Sequence, residues 1–521
     1  NDFSLAALER VTLELVPTVA REELLDSEFV YESDVPGLFR FRHGMSREVV
    51  YESIVLPERR RLHAAALAAL EEDSANTPEP ARPLELLAHH AAGAGEHARA
   101  ARYAELAGDK AAASSSLDRA RQHYRNALEW LDREDLTRER RVRWVGIASK
   151  LAAASLYRPS PDMPQFIERM RAHSDYLGNL GDVARADYWL GWFHYAFGDQ
   201  RAAIARYERA LQQAREIGDV RLESQVLLNL GQSFAAASDY DRADEHFSRG
   251  LGLKKRASSS SSKPALGVAY SLATRGMMYA EIGQFERAYA CAAESIDVVG
   301  GTSLPAEAAC VASLCLIQML QGDFRACLDT SARMRVLAAR IGAHFIFAQN
   351  QVIAGYARWM SEHSREGMAE MLHGMRWMEI HNLLLFGSFS YAHVADALAA
   401  VPEPTAARES ALRSLERTAR GDPGGGVLAH CALGRVADLI GAGAEARAHF
   451  DKAFACCRER PSPRALALAQ LRWAECHLER GAVTEISRAL GEARAAFRSM
   501  KMPFYERQAE ELSARIGSFS P

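Results

Sequence analysis

Lysine is scarce here, with only seven in a chain of 521 residues. Each one (Lys110, Lys150, Lys254, Lys255, Lys263, Lys452, Lys501) is followed by something other than serine or threonine. A P-loop needs that step, because the ammonium reaches the terminal phosphates and the hydroxyl holds Mg²⁺. No Walker-type ATP site lies within the sequence. Long apolar runs are missing too: no stretch reaches about 18 unbroken apolar residues, and the first residues are not a basic, apolar export signal. A cytoplasmic chain with no membrane contact is expected. Cysteine motifs are also lacking. The eight cysteines all lie in the second half and form no CxxC pair and no Cys/His ligand spacing. They are expected to be reduced and mostly buried. Neither HExxH nor GxSxG occurs, and His43, His89, His90 and His363 are expected as surface or packing histidines. No catalytic residue, metal site or cofactor is expected.

Charge of one sign is also in short supply. Lys+Arg number 63 against 67 Asp+Glu, a net charge of −4, so no general field attracts nucleic acid. The run Arg59-Arg60-Arg61, with Arg40, Arg42 and Arg47, is locally basic. Consecutive arginines on a helix point in different directions, so DNA contact there is the weakest of the functional readings. Few lysines with many alanines and arginines fit a GC-rich bacterial genome.

What is present begins with a short irregular region. Leu5, Leu8, Val11 and Leu15 predict an amphipathic helix that starts with the chain, and a second helix follows near Val19–Leu25. Phe29-Val30-Tyr31 and Leu38-Phe39-Arg40-Phe41, separated by Asp34, Pro36 and Gly37, read as a β-hairpin. Helices resume at Ser46–Val55 and Glu58–Glu71, the latter with Leu62, Ala66 and Leu70 as its expected buried stripe. Helix, helix, hairpin, helix is the order of a winged-helix module, here placed at 1–75.

Beyond about residue 80 the pattern is helical and repeats. One copy reads Gly191, Gly198, Ala203, Tyr207, Ala210; others read Gly231, Ser238, Ala243, Phe247, Gly250 and Gly434, Gly441, Ala446, Phe450, Ala453. Small residues let two antiparallel helices approach closely, and the aromatic is expected to fill the gap between one pair and the next. Gly191 to Gly231, Cys315 to Gly355 and Gly434 to Ala474 are each 40 residues apart, and Gly276 to Cys315 is 39. A standard tetratricopeptide repeat has about 34, and HEAT repeats about 40–47. The Gly/Gly/Ala/aromatic/Ala grammar decides for a tetratricopeptide-like α-solenoid with longer helices. The fold class is therefore all-α: a superhelix of period about 40 after the small winged-helix domain. Its divisions are irregular helical pairs at 76–180, a regular array at 181–380, a degenerate unit or bend at 381–425, and further pairs with a capping helix at 426–521. Between Gly231 and Gly276 the interval is 45, and the five serines Ser258–Ser262 read as a loop insertion.

In each pair the first helix is expected to line a concave groove. Counting from the contact glycine places Arg185, Tyr188, Trp192 and Tyr195 there, then Gln225, Asn229 and Gln232, then Gln349, Tyr356 and Trp359. Aromatics, an arginine and amides without a carboxylate suit an extended peptide or protein partner, or a polyhydroxylated small-molecule effector. The alternative is that Tyr188 and Trp192 pack between units. Met368, Met371, Met375 and Met378, spaced 3, 4, 3, form one helical stripe, read as core or as an adaptable groove.

Phe39 to Ile54 (FRFRHGMSREVVYESI) and Pro57 to His63 (PERRRLH) resemble the end of the ATPase module in bacterial multidomain regulators of the STAND type. The resemblance is strongest to those with a class III adenylate/guanylate cyclase domain, an AAA-like ATPase and a tetratricopeptide array. Leu87–Ala111 resembles the stretch that follows in that family, and Met502 to Tyr505 with Ala509 its usual last helix. The resemblance implies an upstream ATPase domain in the same polypeptide, with its P-loop and the cyclase aspartates outside these residues. It carries over no catalytic residue.

Overall fold

A computed structural model describes residues 2–12, 18–33, 35, 37–75, 83–114, 116–135, 137–156, 158–257, 266–300, 303–341, 344–401, 403–478 and 483–519. Ser258–Ser262, Asp34, Pro36 and Pro402 fall outside them. The chain divides into two compact units, residues 1–156 with 169–179, and residues 157–168 with 180–521.

The first unit opens with a strand where a helix is expected. β1 (Asp2–Ser4), β2 (Val30–Glu32) and β3 (Leu38–Phe41) form an antiparallel sheet of order β1-β3-β2. Phe3 explains the difference, because its ring lies 6.0 Å from those of Phe39 and Phe41 and so draws the first residues into the sheet. Helices α1 (Leu5–Thr12), α2 (Thr18–Asp26), α3 (Gly44–Ser53) and α4 (Leu56–Ala75) complete the opening region. Then come α5 (Leu84–Ala94), α6 (His97–Ala113), α7 (Leu117–Asp132) and α8 (Arg138–Ala154). α9 (Met163–Leu177) runs across the boundary between units.

On α4 the stripe is displaced by one residue: His63 and Leu67 are buried, whereas Leu62, Ala66 and Leu70 are half-buried. The helix is rich in alanine on every side, so its period allowed two registers, and Gly93 settles the choice. A Cβ at Gly93 would lie 2.5 Å from the His63 ring, which packs onto bare helix backbone there. Arg59 lies over Tyr51 and Arg61 pairs with Glu58.

The second unit is an array of helix pairs: α10 (Leu180–Ala196) with α11 (Gln200–Glu216), α12 (Val220–Ala236) with α13 (Tyr240–Ala257), and α14 (Leu266–Glu281) with α15 (Phe285–Val299). It continues through α16 (Leu304–Gln321) and α17 (Phe324–Ile341), α18 (His344–Glu362) and α19 (Arg365–Ile380), then α20 (Gly387–Leu398) and α21 (Pro404–Glu416). A short 3-10 turn (Arg417–Arg420), α22 (Gly426–Leu439) with α23 (Gly443–Glu459), α24 (Pro463–His477), α25 (Val483–Ser499) and α26 (Pro503–Phe519) finish it. α10 and α11 each have seventeen residues and three-residue turns follow both, which accounts for the forty-residue period. α16 is long and apolar enough to cross a membrane by composition, but most of it is buried in the array.

The repeat grammar has a physical basis that corrects one expectation. The aromatic ring packs inside its own pair and not in the gap between pairs, although the Tyr207 hydroxyl also accepts from Asn229 of the next pair. A Cβ at Gly191 would meet the Tyr207 ring at 2.7 Å, at Gly231 the Phe247 ring at 2.7 Å, and at Gly434 the Phe450 ring at 2.6 Å. The second glycine of the grammar is the turn between the helices of a pair. Gly198, Gly283, Gly322 and Gly441 have φ of 72°, 81°, 85° and 79°, a left-handed backbone that ends a helix with little strain only at glycine. Ser238 holds the same place in the second copy with φ 57°.

Candidate functional site

Among the ten residues expected to line a groove, four keep solvent access: Arg185 and Gln225 are exposed, and Trp192 and Gln349 are half-buried. Tyr188, Tyr195, Asn229, Gln232, Tyr356 and Trp359 are buried. Gln225 Nε2 donates to the Tyr188 hydroxyl at 2.7 Å, while Asn229 Nδ2 reaches Tyr188 at 3.4 Å and Tyr207 at 3.1 Å. Gln232 Nε2 donates to Ser271 Oγ at 3.3 Å, and Tyr195 bonds Thr274. These bonds tie α10, α12 and α14 together through neutral groups. Burial pushes the Tyr188 hydroxyl up to about 12, so it stays protonated at any ordinary pH.

Further along, Gln349 Nε2 donates to the Leu385 carbonyl at 3.1 Å. The Tyr356 hydroxyl donates to Asp396 Oδ2 at 2.8 Å. Asp396 is fully buried and also receives Arg472, through Nε and Nη2 at 3.1 Å each, and Arg435 Nη1 at 3.0 Å. Burial alone would raise its carboxyl, but Arg472 and Arg435 outweigh that and hold it at about 2. The same helices also carry carboxylates that counting from the glycines omits. Arg185 sits 3.3 Å from Asp182 and 3.8 Å from Asp219, and buried Asp187 pairs with Arg206 at 3.0 Å. Their one signal was an acidic residue inside an otherwise apolar helix, Ala-Asp-Tyr at 186–188 and Ala-Asp-Ala at 395–397. The methionine stripe packs inward, with Met371, Met375 and Met378 buried and Met368 against the same core.

The array then closes on itself. Arg417 Nη2 donates to the carbonyls of Phe197 and Gly198 at 3.0 Å, joining residues about 220 apart. Ser462 Oγ donates to the Glu281 carbonyl at 2.7 Å, and Arg464 reaches the Leu320 carbonyl at 3.0 Å and the Glu281 carboxylate at 3.2 Å. Gln321 Nε2 donates to the Lys501 carbonyl at 3.0 Å, Lys501 pairs with Glu286 at 2.7 Å, and Phe324 meets Phe504 edge-on at 4.8 Å. The turn glycines Gly198, Gly283 and Gly322 all lie under this seam, against Arg417, Met500 and Tyr505. A Cβ at Gly441, the same turn in a later pair, would meet nothing within 4 Å.

Among the described residues, no group of three or more His, Cys, Asp or Glu is placed to hold a metal ion. In the first unit His63, His89 and His90 pack with ring centroids 5.1–5.4 Å apart, and burial holds His90 down at about 4. All eight cysteines are free thiols, five of them buried.

The tetratricopeptide repeat family model matches residues 182–256. No curated protein matches the sequence. Similar solved structures include a Rap protein complexed with competence and sporulation factor, at 11% identity over 80% of this chain and 99% of that one, with a TM-score of 0.40. Another is the Cut9-Hcn1 assembly of APC/C, at 11% identity over 91% and 96%, TM-score 0.38. A third is a signal-transduction ATPase with numerous domains and a tetratricopeptide-repeat sensor from Pyrococcus horikoshii, at 11% identity and TM-score 0.31. It matches over 99% of this chain and 63% of its own length. The described chain is a nearly all-helical, tetratricopeptide-like solenoid, with strands only before residue 42.

Proposed function

We propose that this chain is a non-catalytic partner-binding arm of a larger regulatory ATPase, and that it grips a protein or peptide at the open end of its inner face. The observation that carries the reading is the placement of Arg185, Trp192 and Gln225. They are accessible members of the expected face, on α10 and α12, the first helices of the two pairs in the segment that matches the repeat family. An arginine with only half-exposed partners, an indole edge and an exposed amide, whose Nε2 is held by Tyr188, offer charge, contact area and a hydrogen-bonding carbonyl oxygen in one place. Gln349 extends the same face on α18. The N-terminal motif at Phe39–His63 supports the wider setting, in which a winged helix passes the bound state to an upstream ATPase.

Selection of a displayed library of extended peptides against the chain tests the reading. Binders should lose affinity about tenfold or more with Trp192→Ala or Arg185→Glu, while helix content stays unchanged. Binders indifferent to both substitutions would sink it. If oligosaccharides bind at Trp192 and peptides do not, the small-molecule sensor takes its place; the aromatic character of the face is what favours that second reading. DNA binding through Arg59–Arg61 ranks last, because Arg61 is already paired and Arg59 is stacked.

A further inference from the structure

The closing seam encloses a cavity of ≈ 60 Å³, partly open to solvent, that no role of the inner face accounts for. One water needs roughly 10–15 Å³ by this measure, so there is room for about five water-sized sites, the bulk of a small metabolite. Its walls come from both sides of the seam: Tyr240 and Glu281 from the early pairs, His393, Arg460 and Arg464 from the late ones. The polar groups are not equivalent. Arg464 is committed to the Leu320 carbonyl and to Glu281. Among the described residues Arg460 has only Glu459 at 3.9 Å, the outer limit of an ion pair, and so keeps its guanidinium for a ligand. His393 Nδ1 faces the Phe389 carbonyl at 2.8 Å, which obliges that nitrogen to donate and leaves Nε2 as a bare acceptor on a buried ring. Burial keeps this imidazole neutral, down at about 4, and pushes the Glu281 carboxyl up. The remaining wall, Phe389, Val427, Leu428 and Leu468, is apolar.

We infer that this cavity binds a small apolar α-amino acid of the size of alanine or valine. The carboxylate meets Arg460, the ammonium meets Glu281 and the His393 acceptor, and the side chain rests on Phe389 and Leu428. A convergence of a few polar groups with shifted acidities in an otherwise apolar cleft is the usual form of a ligand site. Glu281 gives Oε2 to Arg464 and keeps Oε1 as an acceptor beside His393 Nε2, so a simple monoanion would bring no donor to these two atoms, and a simple amine would leave Arg460 unmet; the zwitterion satisfies both. Because the walls belong to both sides of the seam, occupancy holds the array closed. The inference rests on the seam and stands whether or not the outer groove binds a peptide.

Calorimetry and thermal melts of the full chain with L-valine, isobutyrate and isobutylamine test it. Valine should bind saturably and raise the melting temperature with concentration, and should bind at least about tenfold better than either analogue. Arg460→Gln should cost a similar factor with the fold intact, since Arg460 is half-exposed; Glu281→Gln should do likewise. Trp192→Ala should leave valine binding unchanged, which separates this site from the groove. Absence of saturable binding by both valine and alanine overturns the assignment. So does equal binding of isobutyrate, or an undiminished affinity in Arg460→Gln.

Discussion

In α10 and α11 a tyrosine ring lies over a glycine; in α18 and α19 backbone lies against backbone. A Cβ at Gly355 would stand 2.6 Å from the Gly367 carbonyl, one at Gly367 would stand 2.8 Å from the Gly355 carbonyl, and one at Gly374 would stand 2.5 Å from that of Ala348. The links between pairs differ as well. The buried links of α12 to the pair before it are neutral amides and phenols, Gln225 and Asn229 on Tyr188 and Tyr207. Late pairs are tied by buried charge, Asp396 between Arg435 and Arg472. One architecture is thus reached by two chemistries, and only the first has a regular spelling.

The largest expected effect breaks the comparison at its glycines. Gly355→Ala should cost about 3 kcal/mol or more in chemical denaturation, because its obstacle is main chain that cannot turn aside. Gly191→Ala should cost less, about 1–2 kcal/mol, since the Tyr207 ring can shift and alanine regains about 1 kcal/mol of helix propensity. Equal costs would show that the two contacts are the same in kind.

Acid should separate the two regions next. The Asp396 carboxyl at about 2 lies below its ordinary 3.8, so its contribution is full above pH 4 and is lost as pH falls through 2. The loss is about 2 kcal/mol. Hydrogen exchange should show α20 opening over that range before α12, and Asp396→Asn should abolish the difference. Asp422 works in the opposite direction. Burial raises it to about 6, so it favours folding below 3.8 and loses that contribution as pH rises through 6. Asp422→Asn should remove this second slope alone. If α12 opens first in acid, the division into neutral and charged links fails.

The smallest effect sharpens the neutral side. Tyr207→Phe removes a hydroxyl that accepts from Asn229 and should cost about 1 kcal/mol, seen as a small shift of the urea midpoint. Phe247 manages without such a hydroxyl, so a cost near zero at Tyr207 would mean that ring packing, not the bond, holds the early pairs.

Local features were legible because spacing encodes them. Gly191 and Tyr207 are sixteen residues apart in sequence and touch in space, and so are Gly231 with Phe247 and Gly434 with Phe450. The turn glycine between them follows from helix ends, so it too repeats. The seam has no such signature: Arg417 and Gly198 meet through the accumulated rotation of several pairs, which no window of sequence displays. Asp396 was hidden for a related reason, since its two arginines lie 39 and 76 residues away, on α22 and α24. Counting from each glycine puts the candidate groove residues on the first helix of each pair, but how much of each side chain stays wet depends on how closely neighbouring first helices approach. Tyr188 disappears beneath Gln225 and Asn229, whereas Arg185, three residues earlier, stays in solvent.

Solenoids ordinarily tolerate gain or loss of a repeat, because each one touches only its neighbours. Here the contact of Arg417 with the Phe197 and Gly198 carbonyls makes repeat number a fixed integer. A pair inserted between α17 and α18 would carry Arg417, Arg464 and Lys501 past their partners, leaving three main-chain acceptors and two carboxylates unmet at once. The same closure removes the freedom of the end pairs to fray, so the unit should melt as one cooperative body instead of peeling from its termini, and should fold slowly for an all-helical chain, because its last contacts join residues far apart in sequence.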